Sequence, residues 1–275
     1  MKRNKIINHL FILLCVTNIC VCHAQNEKEL SENEQSIKIA TWNIGHFSNG
    51  KKDYSLISPL ECAKKEKEYR SFVYDSIDAD VLCLNEYESE FCNDPISGTI
   101  TAEDAIFENY QIHRVFKKNR YICNVIFSNI DLKNARKKSY NYSKELKAQI
   151  SRIDWYYYTS AEILIGGEKV MLVCTHLING VGKYLQGRQD QIDELIKACE
   201  QYKRVIICGD LNTSNYSSFK KAGFSLANNG SIVTFPSKSS SLDNIMVKGL
   251  KISDVQVLKT NLSDHYPLKC KISLK

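Results

Sequence analysis

Apolar positions along the chain fall into two patterns. Near-continuous apolar runs of strand length are "IKIATWNI", "ADVLCLNE" and "YICNVIFSN", rich in β-branched and aromatic residues. "YYYTSAEILIGGEKVMLVCTHL" reads as two strands joined through Gly166-Gly167, a hairpin signal. "RVIICGDLN", "SLDNIMV" and "DHYPLKCKISL" add three more. Two segments carry a helical pattern instead. "SPLECAKKEKEYRSFVYDSI" has helical charge pairing and a Ser before a Pro, which suits a helix start. "GRQDQIDELIKACEQY" is amphipathic, with Ile192, Leu195, Ile196 and Cys199 on one face. Hairpins mixed with helices predict an α+β fold, a four-layered α/β/β/α sandwich of two mixed sheets flanked by helices. Residues 36–275 are expected to form one domain, with no linker and no internal repeat.

The N-terminus follows a different pattern. Lys2, Arg3 and Lys5 precede an apolar stretch from Ile6 to Val21, and "VCHA" closes it with a small residue. A basic head, a short apolar middle and a small-residue exit predict a secretory signal over residues 1–24, followed by a polar, flexible segment over 25–35. No later stretch has the roughly twenty apolar residues that a membrane span requires. An exported protein, periplasmic or extracellular, is therefore expected. Removing residues 1–24 lowers the formal charge from +6 to +3, which weakens any bulk attraction for a polyanion. Cys83, Cys174 and Cys208 lie in apolar runs and are expected to be buried thiols. Cys62 and Cys92 lie in less regular segments and are candidates for pairing after export.

Polar residues recur where the strands end. Asn43 follows "IKIATW", Glu86 follows "VLCLN", His176 follows "VMLVCT", and Asp210 and Asn212 follow "RVIICG". Asp243 precedes "NIMV", and Asp264-His265 precede "YPLKC". A turn residue, a cap or a hydrogen-bonded structural histidine explains any one of these. Six such strand ends together point to groups held at one edge by a rigid scaffold. Asp264 and His265 are neighbours, so on an extended strand they would point to opposite faces. Only a loop lets both address one substrate.

In that order, "TWNI", "LNE", "CNVIFS", "CTHL", "GDLN", "SLDNI" and "SDHYP" resemble the endonuclease/exonuclease/phosphatase superfamily of metal-dependent phosphoesterases. The superfamily includes pancreatic-type deoxyribonucleases, inositol-polyphosphate 5-phosphatases and bacterial sphingomyelinases. The likeness runs from about Ile37 to Leu274. Asn85 stands where Gln is usual, and Cys123 where Gly is common. The resemblance implies a hydrolase acting on phosphoric ester bonds, with Mg²⁺ or Mn²⁺ as cofactor. It implies Asn43, Glu86 and Asp264 as metal ligands, whose hard oxygen donors suit those ions. His265 with Asp243 would form the acid-base pair, and Asp210 would orient or deprotonate the attacking water. His176 and Asn212 would donate hydrogen bonds to phosphate oxygens.

The substrate is less sharply marked. Between Arg114 and Arg152 eleven basic residues face two acidic ones, interleaved with tyrosines. Basic residues with aromatics suit a nucleic acid, and suit an anionic membrane surface or a phosphorylated inositol nearly as well. The reading is a monomeric enzyme cleaving phosphodiester bonds in the manner of a nuclease, with peripheral membrane contact as a further partner class. A phosphatase or phospholipase C-type enzyme is the alternative, and an inactive binding module of the same fold a further one.

Overall fold

The computed structural model describes residues 36–48, 57–94, 98–113, 123–142, 146–147, 156–179, 182 and 184–275. The expected signal segment, the polar segment after it, and Arg114, Lys117, Lys118, Arg120, Lys144 and Arg152 of the basic stretch lie outside the described residues.

Fourteen strands are described, twelve of them in two large mixed sheets. The first sheet holds β1 (Ser36–Asn43), β2 (Val81–Tyr87), β5 (Gln111–His113), β6 (Cys123–Ser128), β13 (Leu250–Val257) and β14 (Leu268–Leu274), in the order β13-β14-β1-β2-β6-β5. The second holds β7 (Lys133–Ser139), β8 (Tyr157–Ile165), β9 (Glu168–His176), β10 (Val205–Asp210), β11 (Ser225–Leu226) and β12 (Asp243–Lys248), in the order β11-β12-β10-β9-β8-β7. Each sheet has one parallel pair, β1 with β2 and β9 with β10, and antiparallel neighbours otherwise. β3 (Glu90–Asp94) and β4 (Gly98–Thr101) form a small separate ribbon. The expected sandwich of two mixed sheets flanked by helices is therefore present.

The continuous apolar runs are explained by burial on both faces. Ile39, Val81, Cys83 and Ile126 of the first sheet meet Ala161, Leu172, Cys174, Ile206, Cys208 and Ile245 of the second between the layers. The alternate residues Ala40, Trp42, Leu82, Leu84, Val125 and Phe127 face outward against helix α1 (Pro59–Ser71) and the π-helical turn Phe72–Ile77 that continues it. A strand dry on both sides has no polar alternation to show. On the far face of the second sheet, Val173, Val205, Ile207 and Met246 pack against Ile192, Leu195 and Cys199 of helix α3 (Tyr184–Cys199). The short helices α2 (Ala102–Ala105) and α4 (Ser217–Lys221) complete the set.

Local signals behave as expected. Ser58 caps α1 and Glu61 returns the bond, a capping box with Pro59 in the first turn. Gly166 and Gly167, both at positive φ, close the β8–β9 hairpin with Ile165 opposite Glu168. Cys83, Cys174 and Cys208 are fully buried free thiols. Cys62 and Cys92, the candidates for pairing, are buried neighbours where α1 lies over β3, but both thiols are free. β7 and β13 escape the pattern because mostly exposed or half-buried edge strands need no apolar run.

Candidate active site

Strand register brings the polar strand ends together. Asn43 lies opposite Asn85 at the ends of β1 and β2, and Asp210 lies opposite both His176 and Asp243 at the ends of β10, β9 and β12. The two sheets therefore present their polar ends at one edge. A cross-sheet hydrogen bond closes it, from Asn43 Nδ2 to Asp210 Oδ2 at 3.1 Å.

Asp210 is the hub. It is 2% exposed. Its Oδ2 lies 3.5 Å from His176 Nε2 and 3.7 Å from His265 Nε2, and its Oδ1 accepts the Asn212 N–H at 2.8 Å. Asn212 sits at φ +50, a left-handed backbone that aims its Nδ2 at His176 Nε2 (3.0 Å) and at the Leu177 carbonyl (2.8 Å). Asp243 is fully buried, and its Oδ2 lies 2.8 Å from His265 Nδ1. Burial pushes the Asp243 carboxyl up. Burial also opposes charge on His265, but the Asp243 and Asp210 carboxylates outweigh it and raise the imidazole to about 10. Asp264 and His265 sit on the loop between β13 and β14, as their joint use requires. Ser263 Oγ anchors that loop by donating to the Asn43 carbonyl at 2.7 Å, and Trp42 Nε1 donates to the His265 carbonyl at 3.1 Å. The Phe235 ring lies against the imidazole, with centroids 4.6 Å apart.

Glu86 is placed by an irregularity. The β2–β6 register shifts between Leu84 and Tyr87, and Glu86 itself takes φ +50. A bulge re-aims the side chains it carries. Burial works against the Glu86 carboxylate, yet its bond to His46 and the nearby His176 hold it down at about 2. Asn43 hydrogen-bonds the same carboxylate. Asp264 Oδ1 lies 3.4 Å from Ser263 Oγ, which bonds the Asn43 carbonyl, and the Asp264 charge also acts on His265.

All eight residues singled out by sequence thus lie at one edge. The sequence reading missed others. Asn85, fully buried, donates to Asn124 Oδ1 (2.8 Å) and the Thr175 carbonyl (3.0 Å) and accepts from the Asp210 N–H (2.8 Å), tying four strands. Arg188 of α3 donates to the Asn212 carbonyl. His46 and Glu88 stand behind Glu86. The spacing in "LNEYE" is the one sequence signal for Glu88. Glu88 lies past the end of β2 and Glu86 has φ +50, however, so it is the irregular backbone that sets both against His46.

Asn43, Glu86 and Asp264 offer hard oxygens, and Asn43 Oδ1 has spent one lone pair on the Gly45 N–H (3.1 Å). Such a set fits Mg²⁺ or Mn²⁺. Asp210, Asp243 and His265 also have ligand atoms within 4.8 Å of one another. There the 2.8 Å contact between imidazole and carboxylate is a hydrogen bond that occupies His265 Nδ1 and Asp243 Oδ2, leaving His265 Nε2 and Asp243 Oδ1.

Residues 40–265 match the model of the Endonuclease/Exonuclease/phosphatase family. The chain belongs to this family. Its members are hydrolases acting on phosphoester bonds and are generally dependent on divalent metal. Among solved structures, a humanized D. rerio TDP2 is similar with a TM-score of 0.62 at 12% identity, over 86% of this chain and 99% of that one. A family member from Bacteroides vulgatus gives 0.60 at 14% identity, over 87% and 99%. The human Nocturnin catalytic domain gives 0.59 at 17%, over 87% and 95%. At such identities these likenesses carry the fold alone. A UPF0294 protein of Vibrio vulnificus is 28% identical over 127 residues, 42% of this chain and 43% of that protein, so the match spans under half of either.

Proposed function

We propose that the chain is an exported, divalent-metal-dependent phosphodiesterase that cleaves by in-line attack of water, with a polynucleotide as the favoured substrate. The observation that carries the reading is the His265–Asp243 pair beside Asp210, flanked by His176 and Asn212 at one sheet edge. A phosphodiester needs an oriented water, donors for its non-bridging oxygens and charge stabilisation. Asp210 accepts hydrogen bonds from Asn43 Nδ2 and the Asn212 N–H and lies beside both imidazoles, which suits it to orient the water. His265, held protonated by two carboxylates, is suited to donate from Nε2 to a phosphate or leaving oxygen. Asp243 fixes the ring so that Nε2 faces the reaction. His176 and Asn212 face one point, and the hydrogen now shared between Asn212 Nδ2 and His176 Nε2 is the one they would turn to a phosphate oxygen. Asn43, Glu86 and Asp264 would hold the metal, which polarises the phosphoryl oxygen and stabilises the leaving group when bound.

Among the described residues the site carries Glu86, Asp210, Asp243 and Asp264 against the protonated His265 and the divalent metal it would hold. A diester, with a single charge, therefore leaves less excess negative charge than a dianionic monoester. The exposed lysines and arginine of β7 favour a polyanion over an isolated head group. A D. rerio TDP2 of the same fold has been solved with a single strand DNA product, which agrees with that preference. Export rests on the basic-apolar-small pattern of residues 1–24.

The test is a hydrolysis screen of the chain from residue 25 onward, with Mg²⁺ or Mn²⁺. It compares bis- and mono-nitrophenyl phosphate, single-stranded nucleic acids, inositol phosphates and sphingomyelin. Diester cleavage lost on chelation and restored by metal is expected. Full activity under chelation, or preference for the monoester, would overturn the reading.

A further inference from the structure

Behind Glu86 the structure holds a buried imidazole that the reaction scheme does not use. His46 follows β1 in the 3-10 turn Gly45–Phe47, and its Nε2 lies 3.2 Å from Glu86 Oε2. Its Nδ1 faces Glu88 Oε2 at 3.6 Å. The side chains of His46 and Glu88 are 5% and 3% exposed, while that of Glu86 is 26% exposed. The three groups thus form a line from the core to the site, and only the outermost carboxylate opens onto it.

The backbone on both sides is unusual. His46 and Phe47 have φ of 58 and 57, and Glu86 has φ of 50. Left-handed non-glycine residues are strained and persist where surrounding packing fixes them. The Phe47 ring does so here, making edge contacts with Tyr69, Tyr87 and Phe91. The Phe47 cluster thus fixes the backbone from which the imidazole projects between Glu86 and Glu88.

We propose that His46 is a positioning residue that makes Glu86 a one-oxygen metal ligand and so sets a preference for Mg²⁺ or Mn²⁺ over Ca²⁺. The proposal rests on the reading of Glu86 as a ligand. A carboxylate whose Oε2 accepts a fixed N–H offers mainly Oε1 to a cation. Mg²⁺ takes six ligands at about 2.0–2.1 Å and is served by single carboxylate oxygens, whereas Ca²⁺ takes six to eight at about 2.3–2.6 Å and accepts both oxygens of one carboxylate. Groups that orient a ligating carboxylate change metal affinity roughly 10–100-fold when removed. A merely structural strut would weaken all cations alike when lost.

The experiment is calorimetric titration of Mn²⁺ and of Ca²⁺ into the chain from residue 25 onward, with melting in chelator as the folding control. His46→Phe keeps the ring and removes the donor, His46→Gln keeps a donor, and Glu88→Gln leaves His46 in place with a weaker brace. The Mn²⁺-to-Ca²⁺ affinity ratio is expected to fall about tenfold or more in His46→Phe, to recover in His46→Gln, and to fall partway in Glu88→Gln. An unchanged ratio in folded His46→Phe overturns the proposal. If that variant does not fold, an unchanged ratio in Glu88→Gln overturns it. Glu86→Gln separates the two ideas. If it weakens Mn²⁺ while the His46 variants keep the ratio, only the His46 proposal fails. If it leaves Mn²⁺ binding intact, Glu86 is not a ligand and both fall.

Discussion

At the scale of single residues, the pair His265–Asp243 concentrates the chemistry. A 2.8 Å contact with a fully buried carboxylate leaves the imidazole one orientation. His265→Ala is expected to cut kcat by roughly 10²–10⁴-fold, the usual worth of a general acid-base group. Asp243→Asn should also be severe, because an amide cannot stabilise imidazolium. The double variant should cost little more than the worse single one, since the two act as a unit. Tyr266→Phe is the control and should be mild. Turnover of a folded His265→Ala protein near that of wild type would remove the pair from the mechanism. The same pair links stability to pH in the metal-free protein. His265 is raised to about 10 from 6.5. A raised imidazole contributes stability in full below its unfolded value and loses it as pH climbs through the folded one. Melting in chelator should therefore fall between pH 6.5 and 10 more steeply in wild type than in His265→Gln. Parallel curves would show that the ring contributes nothing there.

At the scale of elements, the parallel pair β9–β10 carries His176 and Asp210 side by side, and Gly209 is what lets it do so. Gly209 has φ +145, and a Cβ there would lie 1.8 Å from the Thr175 carbonyl oxygen and 3.2 Å from Asn85 Oδ1. Both are fixed, one by the backbone ladder and the other by the Asp210 N–H. Gly209→Ala is expected to cost more than about 2 kcal/mol and to disturb Asp210 as well. Gly167→Ala, at φ +76 with nothing within 4 Å, should cost about 1 kcal/mol of backbone strain alone. Chemical denaturation of the two variants decides it, and equal losses would mean that the close approach is relaxed at no cost.

At the scale of the whole molecule, charge is distributed unevenly. β7 ends the second sheet as an edge strand, with exposed Lys133, Arg136, Lys137 and Lys138. Charge on an edge strand guards against strand pairing with another chain. It also lies beside β8, whose first residue Tyr157 accepts from Asn124 Nδ2 at 2.6 Å close behind the site. Replacing all four by Gln should raise KM for a polynucleotide and flatten its salt dependence, by up to about 0.7 in logarithmic slope for each phosphate no longer neutralised. Turnover of a small diester should stay the same. Equal losses on both substrates would show that the edge supports the fold instead.

Much of this was legible in the chain alone. Strand runs, the capped helix, the glycine hairpin and the polar residues at strand ends depend on neighbours in sequence. Sequence also required Asp264 and His265 to lie on a loop, because adjacent residues of a strand cannot face one target. What the tertiary structure decided was the meeting of those ends. The 3.1 Å bond from Asn43 to Asp210 joins two sheets across 167 residues of chain, and no local pattern encodes its distance. Nor was His46 visible as a partner of Glu86, because their contact needs a left-handed turn after β1 and a bulge in β2 at once. Backbone irregularities leave no periodic signature. Their effect appears only when packing sets one irregular segment against another.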